Sequence, residues 1–567
     1  MSVETVDQPE STAEQQSSPE KHERGLQSTL GSAERWLERR LDLVALVVVF
    51  CGLVLRIIAA AKTYLNPDEA LHYLIINQTS AFDTYKVSLT NAHPPLIYLV
   101  VYFWHFFGRS ELMLRMPSLL AGTAFCWFVF QWVMRVFGKS AGLIGVIVCA
   151  FSPALIALSA ELRAYSLLLV WVAAAVHFLA RAFEETDAAR QVRYLWFFSA
   201  SLCLAILTHY SAIFLAAALG LYVLARMADS RWTMRAVVTW IEGQAIALAV
   251  CGALYVTHIS KIKTSITAWS TMYDSNFYHP VGGNLLEFTS ANTHGIFLFL
   301  FGDPWVAAIM LFSFLASIFY LFGRDFRRRD GGDPLRCAGI LVLLPFAAVW
   351  GASLKGLYPY VATRHTSILA PFAIASASCF LSLVGRKKLL AGVLLAGILM
   401  VASSLSPTVP EGGISPWNEN RELMYSAVKF LKESSPPKGP ILMDFQTALH
   451  AYYYLCGSQN IPPADPYQRD YFRFHCAGFT VYSLHMWKMI PGNFQAEFKK
   501  MALASGLKPG DPVTVFQSGW GRNLGAELPK EQPQFRCFEA RMFGDNISVS
   551  SFIVGPDLLP APQVACR

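Results

Sequence analysis

Long apolar segments separated by short polar ones dominate the sequence. Between residues 41 and 405, runs of roughly 20 apolar residues recur, which is the length that a helix needs to cross a bilayer. The pattern predicts about 11 spans, at about 41–61, 111–137, 141–159, 164–183, 193–208, 211–228, 236–258, 294–322, 337–354, 366–384 and 389–405. We therefore expect an all-α polytopic membrane domain over residues 34–405.

The two ends of the chain have a different pattern. Residues 1–33 are polar and nearly free of aromatic side chains, which predicts a disordered tail. Residues 406–567 contain an amphipathic helical pattern at 420–432 and β-like runs at 441–445 and 513–517. This second segment is long enough to fold around its own core, and it predicts a C-terminal α/β domain.

Composition and charge support this organisation. The chain is 54% hydrophobic and only 15% charged, whereas soluble proteins carry about 25% charged residues. The net charge of +7 comes from short basic clusters beside the apolar runs, so it indicates cytoplasmic loops rather than nucleic-acid binding.

The basic clusters also predict the orientation. Arg35, Arg39 and Arg40 precede the first span and place the N-terminus in the cytoplasm. The apolar piece 94–107 is short for a span, and the later basic loops stay cytoplasmic only if it does not cross. The protein is then a multi-pass cell-membrane protein whose first loop, 62–93, and C-terminal domain are extracytoplasmic.

The positions of the cysteines predict which of them can form disulfides. Seven of the 11 lie in or beside apolar spans, where they are small packing residues. The other four fall in the predicted external domain: Cys456, Cys476, Cys537 and Cys566. They can form one or two disulfides there, and the sequence leaves three possible pairings. Their spacing is not that of a zinc site.

The stretch from Asn66 to Tyr73 follows the first span and admits two interpretations. Asn66, Pro67 and Glu69 fit the cap, first position and capping-box acid of a helix N-terminus. Alternatively, Asp68 and Glu69 are functional carboxylates, because charges at a membrane rim are costly to place. The local sequence leaves both open.

Other polar residues are predicted on the same side of the membrane. A carboxylate there can act as a general base, while arginine and lysine can hold a phosphate. Converging carboxylates and cations would suit transfer from a phosphate-activated, lipid-linked donor. The candidates beside Asp68 and Glu69 are His93, Glu161, Arg163, Tyr165, His209, Lys355 and Arg364, with His72, Lys261, Lys263, Asp274, His279, Tyr358, Tyr360 and His365 on the same rim.

Several short motifs occur in a fixed order along the membrane part. They are Asn66-Pro67-Asp68-Glu69-Ala70, His93-Pro94-Pro95-Leu96-Ile97-Tyr98, Arg115-Met116-Pro117-Ser118-Leu119-Leu120-Ala121-Gly122, Ser159-Ala160-Glu161-Leu162-Arg163-Ala164-Tyr165-Ser166 and Thr208-His209-Tyr210. In this order they resemble the GT-C glycosyltransferases, most closely the protein mannosyltransferase, aminoarabinose transferase and Rgt-type group. The resemblance covers about residues 41–405 and is densest over 60–230.

The resemblance implies a GT-C membrane fold and a sugar donor carried on polyprenyl phosphate. It assigns Asp68 as the catalytic base, Glu69 as its acidic neighbour, and Glu161 and Arg163 to the donor phosphate. It also implies inversion at the anomeric centre. The acceptor, a glycan, lipid or protein, stays open, as does a divalent metal ion, for which Asp68, Glu69, His72 and His93 are the candidate ligands.

Two other functions compete with transfer. A transporter or flippase for a lipid-linked saccharide would carry ionisable residues near mid-membrane and broken helices in repeated halves. A non-catalytic anchor for the C-terminal domain would not need the rim residues at all.

Overall fold

The computed structural model describes residues 19–227, 232–261, 277–327, 337–406, 420–433, 439–457, 471–484, 504–519, 524–526 and 535–555. Its helices up to the middle of the chain are α1 Pro19–Arg39, α2 Leu41–Lys62, α3 Pro67–Ile76, α4 Ala81–Ser88, α5 Leu96–Trp104, α6 Glu111–Phe137, α7 Lys139–Phe151, α8 Pro153–Ser159, α9 Ala164–Glu184, α10 Ala188–Thr208, α11 Ala212–Met227 and α12 Met234–Leu254. The later helices are α13 Leu285–Phe301, α14 Pro304–Arg327, α15 Ala338–Leu354, α16 Ala370–Val384, α17 Leu389–Leu405, α18 Arg421–Glu433 and α19 Phe445–Tyr454. Short 3₁₀ turns cover His105–Phe107 and Arg364–Leu369, and a π-helical turn covers Tyr255–Ile259.

Seven of the described helices are long and apolar enough to span a membrane, or eight if the bent pair α7–α8 is one span. They are Leu41–Lys62, Glu111–Phe137, Ala164–Glu184, Ala188–Thr208, Met234–Ile259, Pro304–Asp325 and Arg364–Val384. The segments Ala212–Met227, Ala338–Leu354 and Leu389–Leu405 are apolar but shorter. The polytopic helical domain is therefore confirmed, while the count of about 11 spans stays a prediction.

One predicted span is wrong. The apolar run 294–322 is divided into α13, which ends at Phe301, and α14, which begins at Pro304. Gly302 takes a positive φ of 71° and ends the first helix, while the Asp303 carboxylate accepts the Trp305 and Val306 amides, both at 2.9 Å. Glycine after a helix and proline at the start of the next are ordinary stop and start signals. Because the residues on both sides are apolar, hydropathy alone does not reveal these signals.

The bend between α7 and α8 is held by a buried arginine. Ser152 precedes Pro153, so the helix is interrupted there and turns by 59°. Arg56, on α2, donates to the Cys149 and Ala150 carbonyls, both at 2.9 Å, and to Ser159 Oγ at 3.2 Å. Where a helix is interrupted, some backbone carbonyls lack a hydrogen-bond partner, and inside a bilayer no water is available to supply one. Arg56 supplies these hydrogen bonds and thereby fixes the segment that leads to residue 161.

Part of the predicted disordered tail is helical. Residues 1–18 lie outside the described residues, but α1 begins at Pro19 and continues to Arg39. Glu34 accepts the Leu389 and Leu390 amides at 2.6 and 3.0 Å, which caps the N-terminus of α17. The polar composition that suggested disorder belongs, from Pro19 on, to a helix.

The C-terminal domain is built on one six-stranded mixed sheet. Its strands are β1 Ile441–Met443, β2 Tyr471–Cys476, β3 Phe479–Leu484, β4 Pro512–Gln517, β5 Phe535–Met542 and β6 Ser548–Val554, in the order β2-β3-β1-β4-β6-β5. The central β1 runs parallel to β3 and β4, and the outer pairs are antiparallel. The predicted helix 420–432 and strands 441–445 and 513–517 correspond to α18, β1 and β4.

Two of the four cysteines of the C-terminal domain pair with each other. Cys456 follows α19 and Cys476 ends β2, and they form a disulfide that closes a separation of 20 residues. Cys537 is also disulfide-bonded, and Cys566 lies outside the described residues. Of the pairings that the sequence left open, the structure therefore selects Cys456–Cys476.

Candidate active site

The capping-box interpretation of residues 66–69 is confirmed. Asn66 Oδ1 accepts the Glu69 amide at 3.0 Å, and Glu69 Oε2 accepts the Asn66 amide at 2.9 Å. Pro67 occupies the first turn of α3. Asp68 projects from this same turn, so the helix cap fixes where its carboxylate lies.

Glu69 is fully buried and faces the interior. Its two oxygens accept a bidentate pair of hydrogen bonds from Arg115 of α6, at 2.7 and 2.6 Å. Oε1 also accepts the Leu162 amide at 2.6 Å. Arg115 in turn donates to the Ala60 and Tyr64 carbonyls at 2.6 and 2.8 Å. This carboxylate therefore joins α2, α3, α6 and the loop after α8 into one unit.

Asp68 faces the opposite way, toward two arginines. Its Oδ2 accepts from Arg364 at 2.6 Å and forms a second ion pair with Arg163. The Asp68 side chain is 32% exposed, against 6% for Arg163 and 16% for Arg364. Burial raises the pKa of Asp68, but the two guanidinium groups outweigh it and hold the pKa well below the ordinary value. Asp68 is therefore an ionised carboxylate that solvent can reach.

Both arginines keep hydrogen-bonding capacity. Arg163 Nε and Arg364 Nη1 are buried, and neither has a hydrogen-bond partner among the described residues. Buried guanidinium donors rarely stay unpaired in folded proteins, and each guanidinium presents a fork that matches phosphate. The unpaired donors therefore point to an anionic ligand beside Asp68.

Glu161 lies near Asp68 and the two arginines, but its carboxyl group differs from that of Asp68 in protonation. It is buried, and its Oε2 has no hydrogen-bond partner among the described residues. Burial raises the pKa of its carboxyl to about 8, and Arg364 and Arg163 only partly oppose that shift. Glu161 is therefore mostly protonated near neutral pH, and its O–H can donate a hydrogen bond.

Glu161 gives a pH prediction. Above pH 8 it ionises and adds a negative charge beside Asp68, so affinity for a phosphate ligand falls. We expect the Kd for a phosphate ligand to rise by about threefold or more between pH 7 and pH 9, since nearby charges interact by a few kcal/mol. Glu161→Gln should abolish this change, whereas the same slope in Glu161→Gln would contradict the assignment. Equilibrium binding at both pH values tests it.

Histidine and tyrosine rings extend from the charged residues. His93 lies 6.0 Å from His72 and 5.2 Å from His209, measured between ring centroids. Tyr165 lies 5.5 Å from His209, and the Arg163 guanidinium carbon is 5.6 Å from the Tyr165 ring. The set is completed by His365 and Tyr358. We call these six residues the ring cluster.

The structure thus brings together most of the predicted site. Asp68, Glu161, Arg163 and Arg364 surround one position, and His93, Tyr165 and His209 line its edge. Lys355 is exposed just past α15, and no ion pair among the described residues joins it to Asp68. Its predicted role stays a prediction, and Lys263 and Asp274 lie outside the described residues.

Arg115 and Arg56 are the functional residues that the sequence reasoning missed. Both lie inside helices that are otherwise apolar, and an arginine in such a helix is itself a signal of a buried polar role. Arg115 also belongs to a motif quoted above, but no spacing rule indicates its partner.

The candidate metal ligands do not form a metal site. Among the described residues, no group of three or more histidine, cysteine, aspartate and glutamate side chains is placed to hold an ion. The Asp68 carboxylate is engaged by Arg163 and Arg364, and the Glu69 carboxylate by Arg115.

The C-terminal domain contacts the helix that carries Asp68. Tyr454 of α19 accepts the Leu65 amide at 2.8 Å, and the Tyr64 and His450 rings meet edge to face at 5.4 Å. Glu111, at the start of α6, accepts from Tyr425 at 3.0 Å. The domain therefore holds the first turn of α3 from outside.

Gly519 lies against the first turn of α3 at this contact, and it gives a second prediction. Its φ is 80°, and an added Cβ would lie 2.8 Å from Pro67 Cγ and 3.1 Å from His450 Cε1. We expect Gly519→Ala to displace the first turn of α3 and to slow any reaction that depends on Asp68 by about tenfold, because small misplacements of a reacting group are costly.

Gly510→Ala is the matched control for this substitution. Gly510 has a φ of 90° in the same domain, but nothing lies within 4 Å of an added Cβ. Both variants carry similar backbone strain of about 1–2 kcal/mol. Comparison of melting temperature and transfer rate separates the effects, and equal rates would show that the contact at Pro67 does not position Asp68.

Comparison with known proteins agrees with this architecture. Residues 92–255 match the family of dolichyl-phosphate-mannose-protein mannosyltransferases. No curated protein matches the chain by sequence.

Solved structures match most of the chain. ArnT from Cupriavidus metallidurans in the apo state has a TM-score of 0.53 at 12% identity, covering 90% of this chain and 98% of that one. The same protein bound to undecaprenyl phosphate has a TM-score of 0.53 at 14% identity, covering 94% and 100%. The apo oligosaccharyltransferase from Archaeoglobus fulgidus has a TM-score of 0.50 at 13% identity, covering 93% and 76%. The resemblance in the sequence motifs is therefore confirmed: the chain has the GT-C glycosyltransferase fold, and residues 92–255 match the mannosyltransferase family.

Proposed function

We propose that the protein is an integral membrane glycosyltransferase that moves a sugar from a polyprenyl-phosphate donor to an extracytoplasmic glycan, lipid or protein. The observation that carries the proposal is the solvent-accessible Asp68 carboxylate held between Arg163 and Arg364, with unpaired guanidinium donors beside it. A base adjacent to a phosphate-binding pair is the minimum that such a transfer needs.

The proposal assigns the chemistry to four residues, which are Asp68, Arg163, Arg364 and Glu161. Asp68 Oδ2 receives both arginines, and no hydrogen bond from a described residue reaches Oδ1. Oδ1 takes the proton from the acceptor hydroxyl or amine as that atom bonds to the anomeric carbon. The bond from the anomeric carbon to the phosphate oxygen breaks, and its electron pair goes to the phosphate. Arg163 and Arg364 stabilise this charge, and the protonated Glu161 donates to a phosphate oxygen.

The undecaprenyl phosphate bound by the structural neighbour supports this class of donor. The disulfide Cys456–Cys476 supports an extracytoplasmic C-terminal domain, because disulfides are rare in the cytosol. The resemblance implies inversion, which agrees with a base that activates the acceptor directly. Glu69 serves as a positioning residue here, because all of its contacts are structural.

The decisive experiment is transfer by the purified protein in proteoliposomes supplied with lipid extracts. Mass spectrometry would follow loss of a polyprenyl-phosphate sugar and gain of a glycosylated product. We expect the wild-type protein to consume donor. Arg364→Gln should lower the rate by about 10- to 100-fold, as expected when a hydrogen bond to a charged group is lost.

The control is Arg190→Gln, which changes an exposed arginine at the start of α10. It should transfer at the wild-type rate. If Arg364→Gln also does so, the phosphate-binding role is wrong. If the wild-type protein moves intact lipid-linked saccharide across the bilayer without consuming it, the flippase interpretation replaces transfer.

A further inference from the structure

Helix α13 contacts both segments of the chain that carry Arg163 and Arg364. At its C-terminal end the Leu300 carbonyl accepts the Ser152 hydroxyl at 2.6 Å. Ser152 lies at the bend between α7 and α8, and α8 leads to Arg163. The last carbonyls of a helix have no partner within it, so this serine completes the end of α13. In its first half, the same helix contacts the loop that leads from α15 to Arg364.

Two threonines of α13 make the contacts in this first half. Thr289 and Thr293 are four residues apart and share a helix face. Trp350 of α15 donates from Nε1 to Thr289 Oγ1 at 3.0 Å, and the Tyr360 hydroxyl lies 2.8 Å from Thr293 Oγ1. The Thr293 hydroxyl already donates to the Thr289 carbonyl at 2.6 Å, so Tyr360 is the donor in its own hydrogen bond. Tyr360, which is buried, therefore ties the loop to α13.

The chain on either side of Arg364 is closed by its own hydrogen bonds. The Tyr358 hydroxyl donates to the His365 carbonyl at 2.8 Å, and the Thr366 hydroxyl donates to the Val361 carbonyl at 2.8 Å. Arg364 lies inside both of these bridges. A displacement of the loop before Arg364 is therefore passed on to the arginine, because the bridged segment moves as one unit.

Gly295 allows α13 and this loop to approach each other at Ala362. A Cβ added at Gly295 would lie 2.8 Å from the Ala362 Cβ and 3.8 Å from its Cα. Carbon atoms pack best at about 3.5–4.0 Å, so the added methyl group would overlap the alanine side chain but not its backbone. Ala362 has no rotamer through which to withdraw, and it precedes Arg364 by two residues. A side chain at position 295 would therefore displace the loop.

The contacts of Arg364 make it sensitive to such a displacement. Its Nη2 donates to Asp68 Oδ2 at 2.6 Å, while its buried Nη1 has no hydrogen-bond partner among the described residues. A guanidinium group holds a phosphate through donors whose relative direction is fixed. A shift of the backbone that keeps the contact with Asp68 therefore still misdirects the free donor.

We propose that α13 positions Arg364 for the donor phosphate, through the hydrogen bond of Tyr360 and through the close contact of Gly295 with Ala362. The inference rests on the proposed function and adds two positioning residues, Gly295 and Tyr360, which act through Arg364. Glycine inside a helix is less stable than alanine would be. The proximity of the loop explains why α13 has glycine at position 295.

The test is equilibrium binding of a short-chain polyprenyl monophosphate to the full-length protein, together with the melting temperature. We expect Gly295→Ala to raise the Kd by about tenfold, because small misplacements of an interacting group are costly. Gly220→Ala is the matched control, since Gly220 lies within α11 and nothing is within 4 Å of an added Cβ. Both variants gain the same helix propensity, and the control should keep the wild-type Kd.

A compensating substitution identifies the contact responsible. Ala362→Gly removes the methyl group that the added Cβ would overlap. The double variant Gly295→Ala with Ala362→Gly should therefore return the Kd to within about threefold of the wild-type value, as expected for two positions in direct contact. Wild-type affinity in a folded Gly295→Ala protein would overturn the inference. Equally weakened binding by the single and double variants would also overturn it, because the contact with Ala362 would then not be the cause.

Tyr360→Phe tests the same positioning without any steric overlap. It removes the hydrogen bond to Thr293 and should raise the Kd by about threefold or more, the equivalent of one neutral hydrogen bond. Wild-type affinity in a folded Tyr360→Phe protein would overturn the inference alone, whether or not Gly295→Ala folds. Failure of the wild-type protein to bind the lipid phosphate would overturn the proposed function together with the inference.

Discussion

Asp68→Asn is expected to lower the rate of sugar transfer by roughly 10²- to 10⁴-fold, the range over which a general base contributes to catalysis. Asparagine has nearly the same shape but cannot accept the acceptor's proton. It also removes the negative charge that Arg163 and Arg364 now share, so binding of the donor phosphate should be kept or strengthened. A fall in turnover without a fall in donor affinity would be specific to the base.

Asp83→Asn is the matched control. Asp83 lies in the same segment between α2 and α5, at the start of α4, where its carboxylate accepts from Ser80 at 2.6 Å. The substitution there changes the same atoms in a helix cap and should leave transfer close to the wild-type rate. The measurement is donor consumption by mass spectrometry together with lipid-phosphate binding. Normal turnover by a folded Asp68→Asn protein would reduce residues 66–69 to a helix cap and remove the mechanism.

The largest expected effect on stability is that of Arg115→Met. It leaves the Glu69 carboxylate fully buried without its bidentate partner, and breaking a buried ion pair in this way costs about 3–5 kcal/mol. Arg115 also satisfies the Ala60 and Tyr64 carbonyls, so α6 loses its hydrogen bonds to the end of α2 and to the turn that follows it. We expect a large fall in folded yield and in melting temperature in detergent.

Arg135→Met is a control from the same helix. Arg135 pairs with Glu184 at 2.8 Å, but the two side chains are 25% and 30% exposed, and pairs of this kind contribute about 0–1 kcal/mol. The double variant Glu69→Gln with Arg115→Met should recover part of the lost stability, because glutamine keeps the capping box and removes the buried charge. If Arg115→Met melts like Arg135→Met, the pair does not hold the site together.

The sequence predicts local features of this protein well. Asn66, Pro67 and Glu69 indicate a helix N-terminus through rules that involve only neighbouring residues, and the structure contains that cap. The helical composition of the membrane part and the sheet of the C-terminal domain follow from hydrophobic period in the same way. The functional and structural interpretations of residues 66–69 also prove compatible, since the cap is what aims Asp68.

The sequence does not predict which distant residues pair with each other. Glu69 and Arg115 are 46 residues apart, and Asp68 and Arg364 are 296 apart. No spacing rule connects such positions, because their proximity depends on how helices pack. The predicted membrane topology placed Asp68, Arg163 and Arg364 on the same side of the membrane. Only the folded chain shows that both arginines bind the same oxygen, Oδ2, of Asp68. The break at Gly302 was missed because hydropathy does not register backbone conformation.

The pairing of one carboxylate with two arginines also bears on how a turnover would end. In the proposed mechanism the proton passes to Asp68 while the phosphate gains a second negative charge, so the site and its leaving lipid remain balanced. Once that proton escapes to water, the site returns to +1 and faces a dianion, since lipid monophosphates lose their second proton near pH 6. The spent carrier is then held with one negative charge in excess and next to a newly ionised carboxylate. Expulsion of the carrier would thus be driven by loss of a proton, without any movement of the helices.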